Sequence, residues 1–109
     1  MPSANSRRSP RIVRVLAVLV GTDAPDLPAH TRVINWQGAL IMSPRPWTLE
    51  TRVHMHNPKT GLTSLCRVAW EGGEEGSTGV YKLGLELLHA SPDFWGDDYA
   101  PGHDAEAGA

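Results

Sequence analysis

Two stretches of this chain alternate strictly between apolar and polar residues. Val53 and Met55 are interleaved with Arg52, His54 and His56, and Leu83, Leu85 and Leu87 with Lys82, Gly84 and Glu86. Side chains two apart on a strand share a face, so period two describes a strand with one side buried and the other open to water. Around these stretches the chain is punctuated at short intervals by proline, glycine and aspartate. Ser43-Pro44-Arg45-Pro46 cannot continue a strand ladder, because proline has no N–H to give. Asn57-Pro58-Lys59-Thr60-Gly61 carries the residues of a tight turn. Eleven glycines and nine prolines in 109 residues leave little room for long helices. Short strands with turn residues between them imply a small closed antiparallel barrel.

Six strands are expected, over 12–20, 31–35, 39–42, 50–56, 63–70 and 80–88. The first is dense in β-branched residues and closes at Gly21. After the last, Ser91-Pro92-Asp93 has the form of a helix start, with Ser91 as the capping residue and Pro92 in the first helical position. Gly96 follows Phe94 and Trp95, so only a short helical turn fits, its rings packing on the barrel. At 11.8 kDa the chain has material for one modest core. The longest apolar run, 15–20, is far too short to span a bilayer, and no apolar segment of signal-peptide length follows Arg7 and Arg8. No membrane insertion and a cytoplasmic location are expected. The one cysteine, Cys66, permits no internal disulfide and fits a reducing compartment.

The net charge of -2 hides a division. Arg7, Arg8, Arg11 and Arg14 lie near the start with no acid among them. Asp93, Asp97, Asp98, Asp104 and Glu106 lie near the end with no lysine or arginine among them. The expected organisation is a flexible basic arm over 1–11, a barrel over 12–96 and a disordered acidic tail over 97–109. The arm is too small to indicate a nucleic-acid polymer as partner. Its guanidinium forks suit phosphate oxygens and guanine edges.

Other motifs carry less. His54 and His56 share a strand face, but no third ligand is specified, so no metal site is expected and exposed strand-face histidines are the default. Cys66 sits mid-strand among apolar neighbours, where it behaves as a small buried hydrophobe. No nucleophile–base arrangement is present, so the chain is expected to be non-enzymatic, with no catalytic residues and no cofactor. Gly72-Gly73-Glu74-Glu75-Gly76 has a superficial likeness to the Gly-Gly-(Asp/Glu)-Glu-Phe signature of diguanylate cyclases, but reads as a flexible hairpin loop. Of the four tryptophans, Trp47, Trp70 and Trp95 are expected in core or rim packing. Trp36 is expected in an exposed turn between strands.

The order of these features resembles the PilZ domain, a small six-stranded barrel that serves bacteria as a cyclic di-GMP receptor. That family carries Arg-x-x-x-Arg ahead of the first strand, matched here by Arg7 and Arg11 with Arg8 between them. Its second motif is (Asp/Asn)-x-Ser-x-x-Gly. With Gly38 at the motif glycine, Asn35 takes the serine position and Val33 the acidic one. The run Gly-Ala-Leu-Ile from Gly38, and 82–88 leading into Ser-Pro-Asp-Phe-Trp-Gly, are also similar to the family. The resemblance covers about residues 7–96. It implies an all-β six-stranded PilZ-type barrel with a short C-terminal helical turn. It also implies a receptor or adaptor in second-messenger signalling that binds cyclic di-GMP through Arg7, Arg8, Arg11, Asn35 and Gly38 and relays its state to an effector protein. The alternative is a PilZ-like domain that binds no nucleotide and acts as a protein-interaction module.

Overall fold

The computed structural model describes residues 11–99. Val18 and Val20, Val53 and Met55, Cys66 and Val68, and Leu83, Leu85 and Leu87 all point inward and are buried. Burying each such aliphatic side chain stabilises the fold by about 1.5–3 kcal/mol. The strands that carry them are β1 (Ile12–Val13), β2 (Ala17–Gly21), β3 (Leu27–Asn35), β4 (Gly38–Ser43), β5 (Arg52–Asn57), β6 (Leu62–Glu74) and β7 (Tyr81–Leu87). Every pairing is antiparallel. Around the barrel the order runs β3-β2-β5-β6-β7-β4, and β4 returns to β3, so six strands close on themselves. Register shifts between Thr31 and Val33, Val68 and Trp70, and Glu71 and Gly73 bend the strands where the sheet must curl.

The expected first strand is broken in two. Buried Thr31 explains the break. Its hydroxyl accepts the Leu16 N–H at 3.0 Å and donates to the Arg14 carbonyl at 2.5 Å, substituting a side chain for part of the ladder. β1 therefore lies along β3 as a short extension of β2's line. The other strands fall where alternation placed them, with β3 starting earlier and β6 running further than expected. Two glycines of the Gly-rich stretch, Gly72 and Gly73, belong to β6, and the hairpin loop begins after Glu74.

The expected helical turn is present as a 3-10 turn over Pro92–Phe94, with the Ser91 hydroxyl accepting the Asp93 N–H at 3.1 Å. Phe94 and Trp95 are buried, their rings edge to face at 4.8 Å. The barrel boundary at residue 96 falls short of what is packed. A second 3-10 turn covers Gly96–Asp98, and Tyr99 is buried against the core. Residues 97–99 therefore belong to the body and not to a tail, because the Tyr99 ring is apolar surface to bury and Asp98 meets Lys59 at 3.0 Å. The rest of the acidic segment, 100–109, lies outside the described residues. Among the described residues, no helix is long and apolar enough to cross a membrane.

Cys66 is fully buried, and desolvation pushes its thiol up to about 12. The thiolate is the reactive form, so Cys66 should resist iodoacetamide at pH 8 while the protein is folded and react once it unfolds. Mass spectrometry with and without denaturant reads this directly. Prompt labelling of the folded protein would contradict the burial.

Candidate functional site

Arg11 stands immediately before β1. Ile12 faces Ile34 and Val13 faces Val33 across the β1–β3 ladder. Extending that register by one residue brings Arg11 level with Asn35. β3 and β4 are joined through Trp36 and Gln37, with Asn35 opposite Gly38. Three hydrogen bonds hold this connection. The Asn35 side-chain oxygen accepts the Gln37 N–H at 2.8 Å, an Asx turn. The Gln37 carbonyl accepts the Leu87 N–H at 2.6 Å. The Asn35 carbonyl accepts the Trp95 indole N–H at 2.9 Å. Trp36 itself is 41% exposed, in the turn where it was expected.

The outer faces of β3, β4, β6 and β7 form a groove of about 610 Å³. Arg11, Asn35 and Gly38, far apart in sequence, all line it, and so does Val33. Arg7 and Arg8 lie outside the described residues. The structure also changes what two of these residues do. Asn35 commits its oxygen to the turn, which leaves its amide N–H groups for a ligand. Gly38 is needed by the fold, since a Cβ there would lie 1.9 Å from the Leu85 carbonyl oxygen. Val33 presents no hydrogen-bonding side chain to the groove.

The β6–β7 side of the groove was not anticipated. Trp70 is 48% exposed and lines the groove, so it is not in the core. Its indole lies over Gly72, where a Cβ would come within 2.2 Å of the ring, and its Cβ lies over Gly84. Two glycines thus make room for an aromatic surface seated on backbone, with nearly half of the residue open. Glycines flanking a tryptophan in paired strands are the signal that would have found it.

Beside Trp70, Arg67 is gripped by two carboxylates. Its Nε and Nη2 both reach Glu86 Oε1 at 2.7 Å, and its Nη1 reaches Glu50 Oε2 at 2.6 Å. The hydrogen bond that Arg67 donates to Glu86, with the charges of Glu86 and Glu50, raises Arg67 above its ordinary value. Glu50 holds its place with a left-handed backbone, φ 71°, which is uncommon for a residue with a side chain. The groove therefore offers a cation at one end, an aromatic surface at the other, and a fixed arginine–carboxylate pair beside it. That combination suits a ligand with both anionic groups and flat heterocycles.

The histidines of β5 lie away from this groove. They are half-buried and not exposed as expected. His56 Nδ1 is 2.8 Å from the Thr63 hydroxyl, and His54 Nδ1 is buried without a partner among the described residues. No group of three or more His, Cys, Asp or Glu side chains able to hold a metal is found among the described residues. No protein-family model matches this chain, no curated protein matches it, and no solved structure matches it.

Proposed function

We propose that this barrel is a PilZ-type receptor or adaptor for cyclic di-GMP, a non-enzymatic cytoplasmic component of bacterial second-messenger signalling that relays ligand state to an effector protein. One observation carries the reading. Arg11, Asn35 and Gly38, chosen from two separate sequence motifs, line a single groove on the barrel's outer face. The dinucleotide carries two phosphates and two purines. Arg11, with Arg7 and Arg8 of the preceding arm, supplies guanidinium groups for phosphates and guanine edges, Asn35 supplies an amide donor, and Trp70 supplies a stacking surface.

Calorimetric titration with cyclic di-GMP, with GMP and cyclic di-AMP as controls, tests it. Binding is expected to weaken as salt rises, and Arg11→Ala should reduce it strongly while leaving the melting temperature of the free protein unchanged. Val33 favours a second reading, the nucleotide-free interaction module, because it puts a methyl surface where the family's acidic residue would contact the ligand. Val33→Asp with Asn35→Ser separates the two. An added hydrogen-bonding surface is worth roughly 1–3 kcal/mol, so binding should tighten by up to about 100-fold. If neither wild type nor this variant gives heat with millimolar ligand, the receptor reading falls and the interaction module replaces it.

A further inference from the structure

Resting on the cyclic di-GMP reading, we infer that Lys82 reads the N7 and O6 edge of a guanine stacked on Trp70, and so makes this end of the groove select guanine over adenine. Lys82 shares the outer face of β7 with Gly84 and Glu86, since Leu83, Leu85 and Leu87 turn inward. The Trp70 side chain starts over Gly84 and runs toward Lys82, away from Glu86. Its six-membered ring ends over Gly72, where a Cβ would lie 2.2 Å from the indole Cη2 and 3.0 Å from the Lys82 Cβ. The ring edge and the root of the lysine therefore meet above one glycine. With one face of the indole on the glycines, a base stacks on the other. Lys82 leaves the sheet beside that ring, and its flexible four-carbon stem is long enough to bring the ammonium past the ring edge to a base lying on it. Met42, which is buried, faces Lys82 from β4 and closes the opposite flank.

The ammonium is left for a ligand. Among the described residues Lys82 forms no ion pair. The carboxylates along the β6 end of the hairpin have other partners. Glu71 accepts the Leu49 N–H at 3.0 Å, Glu74 accepts the Gly79 N–H at 2.8 Å, and Glu75 pairs with Arg32 at 3.0 Å. An ammonium donates hydrogen bonds and accepts none. Guanine sets two acceptors, N7 and O6, side by side on one edge. Adenine keeps N7 but replaces O6 with the N6 amine, a donor that would face the ammonium with like polarity. Stacking on Trp70 does not separate the two bases, because every base has a π-face. The preference at this end of the groove therefore comes from Lys82.

Calorimetry with cyclic di-GMP and cyclic di-AMP, on wild type, Lys82→Met and Lys82→Arg, decides the matter. Methionine keeps an unbranched stem beside the indole and removes the donors. A good two-point base contact discriminates by roughly 10- to 100-fold. The preference of wild type for cyclic di-GMP over cyclic di-AMP should therefore fall by about that factor in Lys82→Met. Contacts made to the second base are the same in both proteins and cancel in the comparison. In Lys82→Arg the guanidinium fork also fits N7 and O6, so the preference should be retained. Melting curves check that both variants are folded. An equal loss for the two nucleotides in Lys82→Met would make Lys82 a phosphate contact, and unchanged binding of both would remove it from the site. Either result overturns the role of Lys82 and leaves the receptor reading standing. No heat from wild type with cyclic di-GMP overturns both.

Discussion

Gly38→Ala is expected to open the seam between β4 and β7. A Cβ at residue 38 would lie 1.9 Å from the Leu85 carbonyl oxygen and 2.9 Å from its carbon. Those are backbone atoms in a paired strand and cannot rotate away as a flexible side chain would. The strands must separate where Gly38 faces Glu86, and the same residue closes the β3–β4 hairpin opposite Asn35. Forced overpacking of this kind costs roughly 3 kcal/mol or more. Against a total stability of about 5–15 kcal/mol, that lowers the melting temperature by at least about 12 °C. A melting temperature within two degrees of wild type would show that the strands yield, and that the glycine is not required by packing. The result also governs how binding data are read. Loss of ligand in a Gly38 variant follows from the damaged seam and does not identify a ligand contact.

Trp95→Ala should cost a comparable amount for a different reason. The side chain is fully buried at the end of the barrel, edge to face with Phe94. Truncation leaves a cavity that neighbouring strands cannot fill, at roughly 3–5 kcal/mol. It also removes the N–H that satisfies the Asn35 carbonyl. Trp95→Phe separates the two effects, since it keeps most of the ring and loses the hydrogen bond, a loss of about 1–3 kcal/mol. Chemical denaturation of the three proteins measures both. A Trp95→Ala protein as stable as wild type would mean that the 3-10 turns do not seal the core. A Trp95→Phe protein that matches wild type would mean that the Asn35 carbonyl finds another donor.

The Trp95 bond also ties the C-terminal turns to the candidate site. Asn57 donates to the Phe94 carbonyl at 2.8 Å, and the Thr60 hydroxyl donates to the same oxygen at 3.1 Å. The segment after β7 is thus pinned through two adjacent residues, Phe94 to the β5–β6 turn and Trp95 to the turn that carries Asn35. Sequence distance gives no hint of this. Trp95 and Asn35 are sixty residues apart.

Local pattern determined a great deal here. Alternation at Val53 and Met55 and at Leu83, Leu85 and Leu87 fixes which side of each strand is buried, because the strand period is two whatever the partner. Asn57 and Gly61 define a turn by their own chemistry, the Asn57 side-chain oxygen accepting the Lys59 N–H at 3.0 Å. Ser91 caps the 3-10 turn for the same local reason. These features depend on residues a few positions apart, so they are legible without the fold. What the tertiary structure alone decided depends on pairing register. Thr31 breaks the first strand only because the pairing of β3 with β1 and β2 brings its hydroxyl to Leu16 and Arg14. Trp70 becomes an open platform only because β6 and β7 set Gly72 and Gly84 against it. Arg67 meets Glu50 and Glu86 only across strands, and Tyr99 is buried only because the barrel end is there to receive it. Alternation rules out a one-residue slip, which would send each side chain to the other face, but it does not say which residues of two distant strands meet, and these contacts depend on that.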